Sequence, residues 1–282
     1  MLLVVFGAGA SYDSDPRLPP AKEHRREDKW RPPLTDALFA NRDEFREFTT
    51  DFPRILPLVA QLGNVSPDQP LEAILSRLAD EAADYPVRHS ELTAVRYYLQ
   101  RLIWECERYW HPERKGVTNY LGLLDRIQRW RKGGANSALF VTFNYDRLFE
   151  YAASYYMSDA TKIYNNEYTT LDAYVSEAAF PLVKVHGSID WGYRVNTPLK
   201  VVEESNQHVW SIALDVIARF ATLEISADIS KIADRPPAPQ DGHAYIPALA
   251  VPLDKKSAFA CPPSHLDFLE ARLPSVRSVL GL

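Results

Sequence analysis

The 282-residue sequence is 46% hydrophobic and 24% charged, an ordinary globular composition with enough length for one sizeable core. Its net charge of −5 argues against direct nucleic-acid binding, which needs a basic surface, and no apolar run is long enough to predict a membrane span. Two cysteines are too few for a disulfide framework or a four-cysteine zinc site, and they are typical of a protein of the reducing cytoplasm.

The amino-terminal stretch combines an apolar run with a turn of small residues. Leu2–Phe6 predicts a strand buried on both faces, and Gly7-Ala8-Gly9-Ala10-Ser11 follows it directly. Small residues let a phosphate approach the backbone, and a helix that starts here would direct free N–H groups at the anion. A tight turn without a ligand has the same composition, so the turn alone is a weak signal. Tyr12 replaces the third glycine of the dinucleotide fingerprint, which disfavours a hydride-transferring dehydrogenase.

The next part of the sequence predicts a long loop and then a series of helices. Tyr12–Leu34 contains five prolines and is expected to be irregular. Apolar residues at helical spacing then predict a helix start capped by Thr35 and helices over Pro70–Asp84, Ser90–Trp110 and Asn119–Arg131. We interpret 35–132 as a helical insertion between the first two strands of a single domain spanning 1–282.

Two more apolar runs predict strands that end in polar residues. Ala138–Phe143 leads into Asn144-Tyr145-Asp146, and Pro181–Val185 leads into His186-Gly187-Ser188. Ligands of open α/β sheets bind beyond the carboxyl ends of the strands, so these residues and the glycine turn are expected at one crevice. Taken singly, Asp146 could be a helix cap, Asn144 a turn residue and His186 a structural histidine. The three strand ends together favour a ligand site.

These strand ends resemble the motifs of the sirtuin superfamily, and specifically of the bacterial sirtuin-like NAD-hydrolysing proteins of antiphage defence. The glycine turn is similar to the family's Gly-Ala-Gly-x-Ser turn. The family's Asn-x-Asp element and its Lys-x-His-Gly-Ser element are matched by Thr142, Asn144 and Asp146, and by Lys184, His186, Gly187 and Ser188. The resemblance implies an α/β fold with a Rossmann-like parallel sheet, helices on both faces, the helical insertion and no zinc module.

The resemblance also implies a role for each matched residue. Asn144 and Asp146 would hold the nicotinamide ribose, Asn144 would place the attacking water, and His186 would be the general base. The cofactor-binding positions would be Gly7, Ala8, Gly9, Ala10, Ser11, Arg31, Thr142, Gly187 and Ser188, with the Gly7–Ser11 turn around the pyrophosphate and Arg31 on a loop over the nicotinamide pocket. The implied activity is hydrolysis of NAD to nicotinamide and ADP-ribose, which depletes cellular NAD. NAD would be a substrate, and no metal is expected.

Two departures from the family's pattern affect this reading. Protein-deacylating sirtuins carry a four-cysteine zinc module that two cysteines cannot build, which favours simple NAD cleavage over acyl-lysine removal. The sequence further predicts helix over Val209–Ile232, a strand over His243–Val251, a helix over Ser264–Arg272 and a strand beginning within Ser275–Leu282. Family members follow this last strand with a Gly-x-Ser turn that holds adenosine. Either the sequence is truncated after Leu282 or those contacts come from elsewhere.

The resemblance implies partners as well as chemistry. Such an activity is lethal to the host, so we expect control in the cytoplasm through a homo-oligomer or a complex with an Argonaute-like sensor or a ring-shaped ATPase, without direct nucleic-acid or membrane binding by this chain. Two other functions stay open. One is a non-catalytic module that senses NAD or an ADP-ribose derivative, and the other is an NAD-dependent deacylase or ADP-ribosyltransferase.

Overall fold

The computed structural model describes residues 1–16, 29–40, 42–62, 70–114, 118–134, 136–157, 168–175, 179–199, 210–232, 242–251 and 259–282. They form an α/β protein that divides into two compact units. The first unit comprises Met1–Leu34, Trp104–Gly187 and Cys261–Leu282, and the second comprises Thr35–Ile103 and Ser188–Ala260. The segment 35–132 is therefore shared between the units.

The elements are as follows in chain order. The strands are β1 (Leu2–Phe6), β2 (Ala138–Thr142), β3 (Leu182–Lys184), β4 (Gly187–Val195), β5 (Ile225–Lys231), β6 (Tyr245–Leu249) and β7 (Ser278–Gly281). The α-helices are α1 (Ala8–Tyr12), α2 (Asp43–Asp51), α3 (Leu56–Leu62), α4 (Leu71–Glu81), α5 (Pro86–Arg114), α6 (Asn119–Lys132), α7 (Leu148–Met157), α8 (Leu171–Val175), α9 (Ser211–Arg219) and α10 (Pro263–Arg272). None of these helices is long and apolar enough to cross a membrane.

The first unit is built on a four-stranded parallel sheet with the strand order β3-β2-β1-β7. Phe6 lies opposite Thr142, and Thr142 lies opposite Lys184. The last residues of β1, β2 and β3 are therefore level, and the polar segments that follow them leave the sheet at the same edge. The predicted strands at the amino terminus, at 138–143 and at 181–185 are confirmed, as is the strand within Ser275–Leu282.

Side chains cover both faces of this sheet. On one face, Phe6 stacks on Phe140 at 6.2 Å between ring centroids, and Phe149 of α7 lies 4.9 Å from Phe140. On the other face, a cluster of aliphatic strand residues packs against Leu266 of α10. Parallel strands between two layers of helices need apolar residues at successive positions, which is why these strands read as unbroken apolar runs.

The second unit contains a three-stranded sheet with the order β5-β4-β6, in which β4 and β5 are antiparallel. The expected helix over Val209–Ile232 is wrong in its second half, because α9 ends at Arg219 and Ile225–Lys231 is β5. The two isoleucines of β5 lie opposite β4, with Ile225 across from Val195 and Ile229 across from Tyr193. Cross-strand pairing decided this segment, and such context routinely overrides local propensity.

The helix predictions hold in position and differ at their starts. Helix α5 begins at Pro86, before the predicted start at Ser90, and the missing proline N–H has no intrahelical partner to lose at this position. Thr35 begins a short 3₁₀ helix, Thr35–Ala37, and the next α-helix starts only at Asp43. Helix α6 is capped by Thr118, whose hydroxyl accepts a hydrogen bond from the Leu121 N–H at 3.3 Å.

Candidate functional site

The glycine turn forms the start of α1 directly after β1. Gly7 is the amino-terminal cap, and Ala8, Gly9 and Ala10 make the first turn of the helix. Gly7 has an ordinary φ of −104°, so the backbone itself does not demand glycine. A Cβ placed on Gly9 would have no neighbouring atom within 4 Å. Packing in the described residues therefore gives no reason for glycine here, and the space beside it is open to a ligand.

Asn144 links the second strand end to this turn. Its side-chain Nδ2 donates to the Gly7 carbonyl at 2.8 Å and to the Ser11 hydroxyl at 2.9 Å. Its backbone N–H donates to the Thr142 hydroxyl at 3.0 Å, which holds the chain in a tight turn after β2. Among the described residues, none donates to Asn144 Oδ1. The amide nitrogen is thus fully used inside the protein, and the amide oxygen keeps its capacity to accept a hydrogen bond.

Tyr120, which lies in the predicted helix over Asn119–Arg131, joins the same cluster. Its hydroxyl lies 2.9 Å from Ser11 Oγ and 3.4 Å from Asn144 Nδ2. Its ring packs edge-on against Phe6 with the centroids 5.2 Å apart. A buried tyrosine hydroxyl nearly always has a polar partner. This expectation is the one sequence signal that could have pointed to Tyr120, and it does not identify the partner.

Asp146 is buried and has two distinct kinds of contact. Its carboxylate accepts a hydrogen bond from the Leu148 N–H at 3.1 Å, so it caps the start of α7. Burial raises the pKa of Asp146, while the Lys184 charge and a hydrogen bond from Ser11 act in the opposite direction. The capping alternative is therefore confirmed, and its side chain also faces the Ser11–Asn144 cluster.

Lys184 and Glu150 form a buried ion pair behind this cluster. The Lys184 ammonium donates to Glu150 Oε1 at 2.8 Å and to the backbone carbonyl of Asp146. Lys184 is fully buried and the Glu150 side chain is 5% exposed. Tyr174 also contacts Glu150, with 3.3 Å between the hydroxyl and Oε1. The lysine of the third strand end thus holds the backbone of the Asn-x-Asp segment, and Glu150 is a supporting residue that the sequence did not indicate.

His186 lies beside the residues that flank Asn144. Its ring centroid is 4.9 Å from that of Phe143 and 6.4 Å from that of Tyr145. Burial lowers the pKa of His186, and a hydrogen bond with the Phe143 backbone opposes this effect in part. The imidazole is therefore neutral at pH 7 and able to accept a proton.

The structure also describes the surroundings of three other predicted positions, Arg31, Gly187 and Ser188. Arg31 is buried, with its guanidinium carbon 4.5 Å from the Tyr12 ring centroid and 5.8 Å from that of Trp110. Arg31 thus packs against Tyr12, the last residue of α1. Residues 17–28 of the loop that would cover the nicotinamide lie outside the described part of the chain. Gly187 has a φ of +85°, a conformation that favours glycine. Ser188 is buried at the start of the second unit.

The described residues contain no group of three or more histidine, cysteine, aspartate or glutamate side chains placed to hold a metal ion. Cys106 and Cys261 are both buried, and neither forms a disulfide. What the arrangement does offer is an amide oxygen and a buried carboxylate beside the glycine turn, and a neutral imidazole next to the residues that flank Asn144. No protein-family model matches this chain, and no curated protein matches it.

Proposed function

We propose that this chain belongs to the sirtuin-like superfamily, with a Rossmann-like parallel sheet, and hydrolyses NAD to nicotinamide and ADP-ribose. The observation that carries the proposal is the Asn144 amide, which bridges the Gly7 carbonyl and the Ser11 hydroxyl. A direct hydrogen bond between the glycine turn and the Asn-x-Asp segment supports one composite site rather than two unrelated turns. The same bond orients Asn144 Oδ1 away from the protein's own donors.

Hydrolysis of the bond between nicotinamide and ribose requires only a weak nucleophile. As the bond between C1′ of the ribose and the nicotinamide nitrogen breaks, its electron pair neutralises the pyridinium and an oxocarbenium-like centre develops at C1′. A water held by Asn144 Oδ1 adds to C1′, and its proton passes to neutral His186. The two residues supply position and a base available near neutral pH, which are the main needs of such a reaction.

The other residues of the site bind the substrate in this proposal. The open surface at Gly9 takes the pyrophosphate, because the absence of a side chain lets the phosphate oxygens reach the backbone. Asp146 accepts a hydrogen bond from a ribose hydroxyl. No metal takes part in any step. In the cell, the protein is proposed to be a cytoplasmic effector of antiphage defence, held inactive until an oligomer or a defence partner releases it.

The test is NAD consumption by the wild type, Asn144→Ala and Asn136→Ala, with chromatography of the products. Asn136 is an exposed asparagine whose amide donates to the Trp130 carbonyl, so it controls for loss of an asparagine elsewhere in the first unit. We expect nicotinamide and ADP-ribose from the wild type and from Asn136→Ala. We expect a loss of about 100-fold or more in Asn144→Ala, with NAD binding retained.

Each alternative outcome identifies a different function. NAD that is bound but never cleaved, even with proteins encoded beside this one, would favour the sensing module. Cleavage that depends on an acylated or acceptor protein would favour a deacylase or an ADP-ribosyltransferase. Equal turnover by the wild type and Asn144→Ala would refute the assignment of the site.

A further inference from the structure

The first residue of helix α6 is hydrogen-bonded to the two residues that follow helix α1. The Asn119 N–H donates to the Ser14 carbonyl at 2.7 Å, and Asn119 Nδ2 donates to the Asp13 carbonyl at 2.6 Å. Asn119 is the first residue of α6, directly after the cap residue Thr118. The next residue, Tyr120, therefore has little freedom to move relative to α1.

The side chain of Tyr120 is held on every side. Only 3% of the residue is exposed, and its ring packs edge-on against both Phe6 and Phe149, with centroids 5.2 and 6.0 Å away. Burial raises the pKa of Tyr120. Its hydroxyl therefore stays protonated at every pH at which the protein functions, and it can donate a hydrogen bond.

The direction of each hydrogen bond in the cluster follows from the chemistry of its members. Asn144 Nδ2 can only donate, so Ser11 Oγ accepts from it. The Ser11 proton is directed to the Asp146 carboxylate, which can only accept while ionised. Ser11 Oγ has one more acceptor position, and the Tyr120 hydroxyl at 2.9 Å fills it as a donor.

This order of bonds decides which way the Asn144 amide faces. Reversing the amide would place Oδ1 against the Gly7 carbonyl, so that two acceptors would meet at about 2.8 Å. Donation by Tyr120 keeps the Ser11 proton on Asp146 and the Ser11 lone pair toward Asn144. The Gly7 carbonyl therefore sets which way the amide faces, and Tyr120 holds Ser11, the second acceptor of the amide nitrogen, in place.

We propose that Tyr120 is a positioning residue of the site, and that its hydroxyl holds Ser11 where Ser11 accepts from the Asn144 amide. The inference rests on the proposed NAD hydrolysis for its functional consequence. Loss of the Tyr120 hydroxyl frees Ser11 to rotate and removes one of the two anchors of the Asn144 amide. The site then binds NAD and holds the attacking water less firmly.

The test compares Tyr120→Phe with Tyr168→Phe in the full chain. Tyr168 is a matched control, because it is also buried in the first unit and its hydroxyl donates to the Phe180 carbonyl at 2.8 Å. We expect kcat for NAD to fall about tenfold in Tyr120→Phe, the effect of losing one orienting hydrogen bond, while KM stays within twofold. Tyr168→Phe should leave both constants unchanged, even if the two variants lose the same thermal stability.

A second measurement needs no turnover. The side-chain amide signal of Asn144 in ¹⁵N NMR spectra, assigned by its disappearance in Asn144→Asp, should shift or broaden in Tyr120→Phe and stay in place in Tyr168→Phe. A wild type that leaves NAD intact even with the proteins encoded beside it would refute the proposed function, while the amide signal would still test the positioning. An unchanged Asn144 signal in Tyr120→Phe, or a kcat equal to that of Tyr168→Phe, would overturn the inference.

Discussion

Removal of the buried lysine charge should be among the most destabilising single changes in the first unit. In Lys184→Met, the side chain keeps its length and apolar stem, but the ammonium that donates to Glu150 Oε1 at 2.8 Å is gone. Glu150 is then a buried carboxylate without its cation, because the Lys184 and Glu150 side chains are only 0% and 5% exposed.

The expected cost follows from this burial. Removing one member of a buried ion pair costs about 3–5 kcal/mol, since the remaining charge stays desolvated. An exposed pair gives the contrasting case. Arg219 and Asp215 lie 3.3 Å apart with side chains 40% and 43% exposed, and breaking such a pair costs less than about 1 kcal/mol.

The assay is urea unfolding at pH 7 of the wild type, Lys184→Met and Arg219→Met. We expect a large drop in midpoint for Lys184→Met with an unchanged slope, and a small drop for Arg219→Met. The double variant Lys184→Met/Glu150→Gln should recover part of the loss, because a neutral amide is easier to bury than a lone carboxylate. Equal losses in the two single variants, or no recovery in the double variant, would refute the reasoning.

Three further results are expected. NAD turnover should stay constant as the pH falls to 6.5, the ordinary pKa of histidine, and should decline only at more acidic pH. Burial lowers the pKa of His186, so this base becomes protonated only at a lower pH than an exposed histidine. A decline that begins above pH 7 in a pH–rate profile would contradict this. Gly192→Ala should lower the free energy of unfolding by about 1–3 kcal/mol, because its Cβ would lie 2.6 Å from Ile232 Cδ1. Gly122→Ala, in open space on α6, should raise the free energy of unfolding by about 0.5–1 kcal/mol. Equal effects of the two changes in denaturant unfolding would count against the packing argument. Burial raises the pKa of Cys261 to about 12, so iodoacetamide at pH 8 should label this thiol only after unfolding, as mass spectrometry of native and urea-treated protein can show.

Strands β1, β2 and β3 of the first sheet were predictable because none of their residues is exposed. β1, β2 and β3 read as unbroken apolar runs, and each is followed by polar or small residues at the carboxyl end. Strands β4 and β5 were not predictable in the same way. None of the residues of β5 is fully buried, and its isoleucines lie opposite residues of β4 across the sheet. Its sequence therefore carried a helical pattern as readily as a strand pattern.

In the candidate site, too, some features were predictable from the sequence and others were not. The sequence by itself determined the chemical groups at the three strand ends, because residue type and order are local properties of the chain. Only the tertiary structure decided which groups touch. Tyr120 reaches Ser11 across 109 residues and Asn144 reaches Gly7 across 137. Lys184 lies opposite Thr142 at the end of β2, and it meets Glu150 of α7, the helix that follows β2. Hydrogen-bond partners so distant in sequence are set by strand register and helix packing, which no local pattern encodes.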